Sequence, residues 1–468
     1  MRSIFNILKT FMINRSLKCQ NASNLYDLYY WGMSYDSNNK MSVAGLQVQD
    51  LLKQYGSPLL VVNKERLVED ALSVQNAINR CGRSSKVTYS YKTNCIPGIL
   101  KELHDLGIGA EVISPYELWL AEQLEVPSDN IIYNGVNKTE ESLFRAIDMD
   151  ILSINIDSLS EVETIVSVAK RLEKKARVGM RLAFSQSTQF GLGIDTGEAM
   201  EAFFRIMKYR EWIEMVMLHF SVTSNSRDSS THCHYAQKAL EFAKAVKDKI
   251  GLTICYLDVG GGIGVPTSKN MSSLEYGLYR LFGCLPKPPD PNDFENIGTF
   301  ISRIQSTVES TCKRLHLDVP SLIVEPGRFV TSRGEFLLST VQSVKKKTNG
   351  ARFVITDAGR LSITYPMDFE YHAIFTAQIK NGRQMVPQNL MGRICTSADW
   401  MAKNVLLPEL EEGDVLATMD AGAYFSSYSS NFSFGRPAIV MVNSAGAAKV
   451  LREAENFEHL VAMDTLFK

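Results

Sequence analysis

Lys92 closes a short run of β-branched and aromatic residues, Tyr89-Ser-Tyr-Lys92-Thr-Asn94. Such a run predicts a strand with Lys92 at its carboxyl end, which is where barrel enzymes carry their chemistry. A lysine fixed at that point can form a Schiff base with a carbonyl cofactor. Because most strand-end lysines are solvated surface residues, this interpretation depends on the residues that accompany Lys92.

Three consecutive glycines follow a later strand-like segment, in Leu257-Asp-Val-Gly260-Gly261-Gly262-Ile-Gly264. Since glycine has no Cβ atom, the backbone N–H groups of such a run can approach a phosphate closely. A lone glycine run more often forms a turn, but the phosphate sites of (β/α) barrels lie in the loops after strands seven and eight. We therefore interpret Gly261 and Gly262 as phosphate-binding residues.

The last strand-like segment of the same series ends in Val324-Glu325-Pro326-Gly327-Arg328. Gly327 allows another close approach of the backbone, and Arg328 can clamp a phosphate through two N–H groups. Glu325 can bond to a pyridine nitrogen and keep it protonated, although a structural salt bridge would also account for this residue. An aldehyde for Lys92, a phosphate for the glycines and a ring nitrogen for Glu325 together indicate pyridoxal 5′-phosphate.

Eight strand-like segments alternate with amphipathic helical stretches such as 158–171 and 230–249. This alternation predicts a parallel (β/α)8 barrel of the TIM type, with a doubly wound open sheet as the alternative. The predicted strands are 87–92, 109–114, 131–135, 153–157, 176–182, 215–221, 256–262 and 321–327.

After Arg333 the strands have no long helices between them, which predicts a mostly antiparallel C-terminal β domain. Its predicted strands are 336–345, 352–356, 415–419 and 438–443, and a helix at 47–55 and a strand at 58–62 precede the barrel. The predicted organisation is an N-terminal extension (1–40), a helix and strand that join the β domain (41–62), the barrel (63–333) and the β domain (334–468). Residues 266–298 are expected to form a surface excursion at the barrel mouth, which would suit a lid.

The composition is typical of a soluble globular protein, with 45% hydrophobic and 22% charged residues. A net charge of −1 argues against nucleic acid as a partner, and no apolar run is long enough to span a membrane. The eight cysteines form no CxxC pair, which predicts a reduced, cytoplasmic protein and no metal site. The first 26 residues carry four basic and no acidic side chains, so a transit peptide and a flexible extension both remain open.

These residues belong to a longer series of ordered motifs. The chain resembles the fold-type III pyridoxal-phosphate decarboxylases, the diaminopimelate and ornithine decarboxylase family, from about Gly45 to Met441. The stretches that carry the resemblance are Tyr89-Ser-Tyr-Lys92, Gly107-Ile-Gly-Ala-Glu111-Val-Ile-Ser114, Asn155-Ile-Asp-Ser158, Gly260-Gly-Gly-Ile-Gly264, Glu325-Pro-Gly-Arg328, Cys395-Thr-Ser-Ala-Asp399 and Asp420-Ala-Gly-Ala-Tyr424.

The resemblance implies roles that the residue types alone do not. It implies that Cys395 enters the active site of a second subunit and helps to reprotonate the product carbon, and that Tyr424 reaches the cofactor phosphate. It therefore implies a homodimer with shared active sites. Without the resemblance, Cys395 would be interpreted as a buried core thiol and Tyr424 as a packed aromatic residue.

One departure from the family pattern lies after the sixth strand, in Leu218-His-Phe-Ser221-Val-Thr-Ser224. The family carries there a histidine that stacks on the cofactor ring, followed by Val/Ile-Gly-Ser. Ser221 stands at the position of that histidine, while Ser224 remains as a cofactor hydrogen-bonding residue. His232 and His234 lie nearby in sequence, and both are interpreted as surface residues.

Two further departures concern the substrate. Thr396 follows Cys395, where the family has an acidic residue that binds the distal amino group of the substrate. Tyr365 precedes Pro366, where diaminopimelate enzymes have an arginine for the distal carboxylate. Arg360 and Arg393 are candidates to replace that charge, with surface salt bridges as the alternative.

The sequence therefore predicts a pyridoxal-phosphate-dependent decarboxylase of an amino acid or an amino-acid conjugate, as in the specialised biosynthesis of siderophores or antibiotics. Diaminopimelate decarboxylation for lysine biosynthesis is the first alternative. A racemase and a homologue that binds a partner without catalysis are the others.

Overall fold

The computed structural model describes residues 2–21, 27–82, 84–363 and 369–467. The chain divides into two compact units. The β unit comprises Met1–Glu69, Val265–Phe294 and Arg328–Lys468, and the barrel unit comprises Asp70–Gly264 and Glu295–Gly327.

The strands in the described residues are β1 Met33–Tyr35, β2 Met41–Val43, β3 Leu46–Gln47, β4 Leu59–Asn63, β5 Lys86–Ser90, β6 Gly109–Val112, β7 Ile131–Tyr133, β8 Ser153–Ile156, β9 Ala176–Ala183, β10 Leu192–Gly193, β11 Ile213–His219, β12 Tyr256–Asp258, β13 Lys269–Asn270, β14 Ser321–Val324, β15 Glu335–Lys346, β16 Arg352–Thr356, β17 Glu370–Tyr371, β18 Ile374–Thr376, β19 Met385–Met391, β20 Trp400–Pro408, β21 Val415–Thr418, β22 Ala438–Val442 and β23 Ala448–Arg452.

The helices in the same residues are α1 Arg2–Asn21, α2 Val48–Tyr55, α3 Lys64–Ile78, α4 Pro97–Asp105, α5 Pro115–Gln123, α6 Glu140–Asp148, α7 Leu159–Leu172, α8 Glu198–Lys208, α9 Ser230–Ile250, α10 Ser273–Phe282, α11 Ile297–Leu315, α12 Arg328–Thr331, α13 Arg360–Ile363, α14 Phe425–Tyr428 and α15 Phe457–Val461. No helix among them combines the length and the apolar composition that crossing a membrane requires.

Eight parallel strands close the barrel unit. They follow the order β5-β6-β7-β8-β9-β11-β12-β14, and β14 pairs with β5 through Ile323 opposite Lys86. The closed barrel confirms the predicted fold and excludes the open sheet. Residues of these strands are almost all buried because side chains fill the interior and helices cover the outside.

The long helices of this unit follow from the apolar periodicity of their sequences. α7 and α9 begin and end within a residue of the predicted stretches 158–171 and 230–249. α9 ends at Gly251, whose φ of +72° is the left-handed conformation that closes many helices. Each helix buries its apolar face within the barrel unit.

The β unit contains a mixed, mostly antiparallel sheet, as predicted. Its central strand β15 pairs antiparallel with β4, β16 and β21. β4 also pairs in parallel with β22, so the strand that precedes the barrel in sequence joins this sheet. Alternate residues such as Leu59, Val61 and Val440 pack into one core, which explains how distant segments form a single unit.

The segment Val265–Phe294 belongs to the β unit, although the sequence placed residues 266–298 in the barrel domain as an excursion. Two contacts explain this assignment. β13 pairs antiparallel with β17, and the hydroxyl of Thr267 donates to Asp420 Oδ1 at 2.8 Å.

Candidate active site

Lys92 lies on a single 3-10 turn, Tyr91–Thr93, directly after β5. The turn places the side chain at the carboxyl end of the barrel, where it is 43% exposed and its Nζ donates to Glu111 Oε2 at 2.8 Å. Glu111 lies on β6 and is fully buried. The predicted position of Lys92 at a strand end is therefore confirmed, and its partner is a buried carboxylate.

A cavity of about 330 Å³ opens at this end of the barrel unit. This volume lies within the range that small-molecule sites occupy in proteins. Among the residues that line the cavity are Lys92, Glu111, Asn134, His219, Ser221 and Glu325.

Buried amides connect the carboxylates of this cavity. Asn134, at the carboxyl end of β7, donates through Nδ2 to Glu111 Oε1 at 3.1 Å and to Glu325 Oε1 at 2.5 Å. Its Oδ1 accepts from Asn155 Nδ2 at 2.6 Å. Asn134 is 3% exposed and Asn155 is fully buried, so the partner of Lys92 and the predicted partner of the ring nitrogen share one fixed donor.

Glu325 follows β14 and is 3% exposed. His219 ends β11 and Asp258 ends β12, and side-chain N and O atoms of the three residues lie within 4.8 Å of one another. Burial alone would raise the pKa of Glu325, but His219 and Lys92 hold it below the ordinary range. Burial and the neighbouring Glu325 raise the pKa of Asp258 well above its ordinary value. Glu325 is accordingly an anion at neutral pH, as a partner for a protonated ring nitrogen must be.

The glycine loop after β12 has the backbone that a phosphate requires. Gly260 and Gly262 have φ values of +70° and +81°, which residues other than glycine rarely adopt. A Cβ at Gly261 would lie 2.4 Å from the carbonyl oxygen of Glu325, and one at Gly262 would lie 2.3 Å from that of Thr223. The N–H groups of Gly261 and Gly262 donate to no acceptor in the described chain, so they remain available to an anion.

Gly327 packs against the turn that carries Lys92. A Cβ at Gly327 would lie 2.0 Å from Thr93 Oγ1, and the N–H of Ser90 donates to the Pro326 carbonyl at 3.2 Å. Contact between the eighth and first strand ends therefore requires a glycine at this position. Its prediction as a phosphate contact stays a prediction.

Arg328 belongs to the β unit and is 5% exposed. Its Nη1 and Nη2 donate to the two carboxylate oxygens of Glu370, at 3.0 and 2.5 Å. The guanidinium carbon also lies 5.4 Å from the ring centre of Tyr424. Arg328 was predicted to clamp a phosphate through two N–H groups. In the structure, one donor from each terminal nitrogen binds the Glu370 carboxylate. Arg328 and Tyr424 as cofactor-binding residues remain predictions.

Cys395 and Thr396 lie on an exposed turn of the β unit, residues 392–399, here called the Cys395 turn. Asp399 organises it, because its carboxylate accepts from the backbone N–H groups of Arg360 at 2.8 Å and Ile394 at 2.6 Å. Cys395 is exposed, which differs from the buried core thiol expected without the resemblance.

The substrate-binding candidates of the β unit make protein contacts of their own. Arg360 donates through Nε to the Ala398 carbonyl at 2.7 Å, and the guanidinium of Arg393 lies 4.1 Å from the ring centre of Phe434. Tyr365 lies outside the described residues. The roles of all three in binding substrate stay predictions.

The loop after β11 and the helix α9 that follows it contain the serines and histidines singled out in the sequence. Ser221 is exposed and lines the cavity. Ser224 is also exposed. His234 is exposed as predicted, but the prediction of a surface His232 is wrong. His232 is 1% exposed, and its Nε2 lies 2.9 Å from the Gly261 carbonyl oxygen.

Sequence reasoning missed Asn134, His219 and Asp258. Each ends or directly follows a barrel strand, so each was predictable as a residue of the barrel mouth once the strands were assigned. Their side-chain types did not single them out, because asparagine, histidine and aspartate are common in the loops that follow strands.

A sequence profile decides the family. Residues 65–332 match the family described as "Pyridoxal-dependent decarboxylase, pyridoxal binding domain". The chain belongs to this family. The protein is a pyridoxal-phosphate-dependent carboxy-lyase that closely resembles diaminopimelate decarboxylases.

Individual relatives of this decarboxylase cover nearly its whole length. A diaminopimelate decarboxylase from Methanocaldococcus jannaschii is 30% identical over 446 residues, which are 91% of this chain and 95% of that protein. The Aquifex aeolicus diaminopimelate decarboxylase is 27% identical over 438 residues, with 91% and 95% covered. The crystal structure of the M. jannaschii enzyme matches with a TM-score of 0.83 at 28% identity and covers 94% of this chain and 98% of that one.

The residues of the decarboxylase cavity fit the cofactor that the family name specifies. The available N–H groups of Gly261 and Gly262 suit a phosphate, and the buried Glu325 anion suits a protonated ring nitrogen. Lys92 supplies an amine that is exposed to the cavity. These three groups are brought together by one face of one barrel.

Proposed function

We propose that this decarboxylase acts on an amino acid or amino-acid conjugate whose distal end differs from that of diaminopimelate. One observation carries the proposal. The cavity that holds Lys92 and Glu325 is lined by Ser221, a smaller side chain than the imidazole that the family places there. Thr396 and Tyr365, which replace charged family residues, support the same direction. A substrate from specialised biosynthesis, such as a siderophore precursor, fits this pattern.

Pyridoxal phosphate, when bound, supplies a carbonyl for an amine and a ring that accepts the electrons of a broken Cα–carboxylate bond. Lys92 holds the cofactor carbonyl through its amine, and Glu111, 2.8 Å away, fixes the position of that amine. Glu325 keeps the ring nitrogen protonated, and the loop at Gly261 and Gly262 binds the phosphate. After loss of carbon dioxide, Lys92 or Cys395 returns a proton to Cα.

The proposal includes a homodimer in the cytoplasm. In such a dimer, the Cys395 turn of one copy serves the cavity of the other, which suits the exposure of this turn. The cysteines that the structure describes are all free thiols, which is consistent with a reducing compartment. Sedimentation of the purified protein together with complementation between Lys92→Ala and Cys395→Ala chains tests this part. Mixed chains should regain about a quarter of the wild-type activity if sites are shared.

A carbon dioxide release assay tests the substrate. The purified protein with added pyridoxal phosphate is screened against diamino acids, acidic amino acids and conjugates such as N-acylated diamino acids. We expect the highest kcat/KM for a compound other than meso-diaminopimelate. Racemisation without release of carbon dioxide would overturn the proposed reaction on that compound.

Diaminopimelate decarboxylation is the second candidate, favoured by the relatives in M. jannaschii and Aquifex aeolicus that carry this name. It predicts that meso-diaminopimelate is the preferred substrate in the same assay and that L-lysine is the product. A kcat/KM for diaminopimelate at least tenfold above all other compounds would establish this second candidate and reject the first.

A further inference from the structure

Asp258 is a fully buried carboxyl group of the site, and the proposed reaction gives it no role. It ends β12, and its Oδ1 accepts from the Gly260 N–H at 2.9 Å. Its Oδ2 has no donor among the described residues. Side-chain oxygen atoms of Asp258 and Glu325 lie within 4.8 Å of each other, so the two buried carboxyl groups are direct neighbours. Because a carboxylate has no proton to donate, two carboxyl groups can hydrogen-bond only if one of them is protonated.

We propose that Asp258 carries this proton and donates it to Glu325, acting as a positioning residue that holds Glu325 in place as the anion a protonated ring nitrogen needs. The inference rests on the proposed role of Glu325 toward the cofactor ring. Asp258 itself touches neither cofactor nor substrate in this scheme. Its proton gives the unpartnered Oδ2 a bonding partner and leaves Oδ1 free to hold the glycine loop.

The charges around the pair support a proton at this position. Three buried carboxyl groups, Glu111, Asp258 and Glu325, lie at this end of the barrel. Lys92 and Arg181 line the same cavity, and Arg181 lies 3.5 Å from a different carboxylate, that of Asp157. His219 faces the pair, but its Nε2 lies 3.5 Å from Glu325 and its Nδ1 meets no acceptor in the described chain. Two neighbouring buried anions would repel each other in a site with little water, so one proton shared by the pair removes a large cost.

The proton belongs to Asp258 and not to Glu325 because of their neighbours. Asn134 donates to Glu325 at 2.5 Å, and the neighbouring His219 and Lys92 also favour a negative charge on Glu325. Asp258 receives one backbone N–H and faces the negative Glu325 and Glu111. These different surroundings make Glu325 the anion and Asp258 the protonated acid of the pair.

Asp258→Asn is the matched variant for this proposal. Its amide can accept from Gly260 through Oδ1 and donate to Glu325 through Nδ2, as a protonated aspartate does. Asp258→Ala removes both bonds. We expect the cofactor dissociation constant of Asp258→Asn to stay within about threefold of wild type and that of Asp258→Ala to rise about tenfold or more, since hydrogen bonds to charged groups are the stronger class. An asparagine variant that binds as poorly as the alanine variant would overturn the proposal.

Infrared spectroscopy of the full-length protein, with and without cofactor, measures the proton directly. At neutral pH the wild type should show the C=O stretch of a buried protonated carboxyl group, and Asp258→Asn should lack it. The proposal fails if the band is missing in wild type or unchanged in the variant, and this readout decides the matter even if Asp258→Ala does not fold. Glu325→Gln tests the underlying role of Glu325 separately. If that variant binds the cofactor with unchanged affinity and spectrum, the ring-nitrogen role is wrong, while the presence or absence of the Asp258 band in wild type still reports on its proton.

Discussion

The cavity of the barrel unit and the Cys395 turn of the β unit hold their functional side chains in opposite ways. In the cavity, Lys92 and Glu325 belong to one network of hydrogen-bonded side chains that spans five neighbouring strands. In the Cys395 turn, exposed side chains extend from a backbone that Asp399 fixes through N–H groups. A change at one cavity residue disturbs its neighbours, whereas a change of the exposed side chain of Cys395 or Thr396 leaves the backbone of the turn in place.

This difference explains where the sequence departs from the family. Lys92, Glu325 and the glycine loop match the family motifs, while Thr396 on the exposed turn does not. In the proposed function, reaction chemistry depends on the cavity residues and substrate preference on the exposed turn. Ser221 is the exception, since it lines the cavity but lies on an exposed loop position.

Lys92→Ala should give the largest effect. We expect kcat to fall by about 10³-fold or more, because no other group can replace a covalently acting lysine. The cofactor absorbance of the purified protein and its carbon dioxide release are the measurements. Lys101→Ala, on the exposed face of α4, is the control. Retention of the wild-type absorbance band would contradict the assignment.

Glu370→Ala should act mainly on stability, by lowering the free energy of unfolding. It leaves the Arg328 guanidinium buried without its partner, which costs about 3–5 kcal/mol. Urea unfolding measures this change. Glu411→Ala removes the exposed partner of Arg383 and should cost less than about 1 kcal/mol. Equal losses of unfolding free energy in the two variants would show that burial of the ion pair does not determine its contribution to stability.

The Glu370 contribution should also depend on pH. Burial alone would raise the pKa of Glu370, but Arg328 and His372 lower it below the ordinary value. The stabilisation is therefore complete above the unfolded-state pKa of about 4.3 and is lost as the pH falls through the lower pKa of the folded state. The difference in unfolding free energy between wild type and Glu370→Ala should shrink in acid. A difference that stays constant down to acidic pH would exclude this linkage.

Asp399→Ala should loosen the Cys395 turn at a smaller cost. Two backbone N–H groups lose their acceptor, as in the removal of a helix cap, which costs about 1–2 kcal/mol. The rate at which a thiol reagent labels Cys395 should change with it, while Glu453→Ala, an exposed residue of the same unit, should leave that rate unaltered. An unchanged labelling rate in Asp399→Ala would show that the turn does not depend on this carboxylate.

Thr396→Glu should have the smallest effect on stability, within about 0.5 kcal/mol, because the residue is exposed. If Thr396 helps to exclude diamino acids, the new carboxylate should raise kcat/KM for a diamino acid by about fivefold, the value of an exposed ion pair of roughly 1 kcal/mol. Thr396→Gln, of similar size and no charge, is the control. An equal gain in both variants would point to side-chain length and not charge.

The sequence predicted the barrel because its strand segments and helical periods are local patterns. It also predicted the joining of the 58–62 strand to the β sheet, from the order of the segments alone. It did not predict the pairing of Arg328 with Glu370 or the burial of His232, because these depend on residues far apart in sequence that pack only in the folded chain. The contacts of Asn134 with Glu111 and Glu325 were missed for the same reason.

The pairing of β14 with β5 has a consequence for the growing chain. Lys92 is synthesised long before Glu325, yet the two residues belong to neighbouring strands that meet only when the barrel closes. Contacts of such long sequence separation form late in folding. A ribosome-bound chain whose β14 segment is still inside the ribosome should therefore be unable to retain the cofactor. Cofactor binding would then report that the barrel has closed.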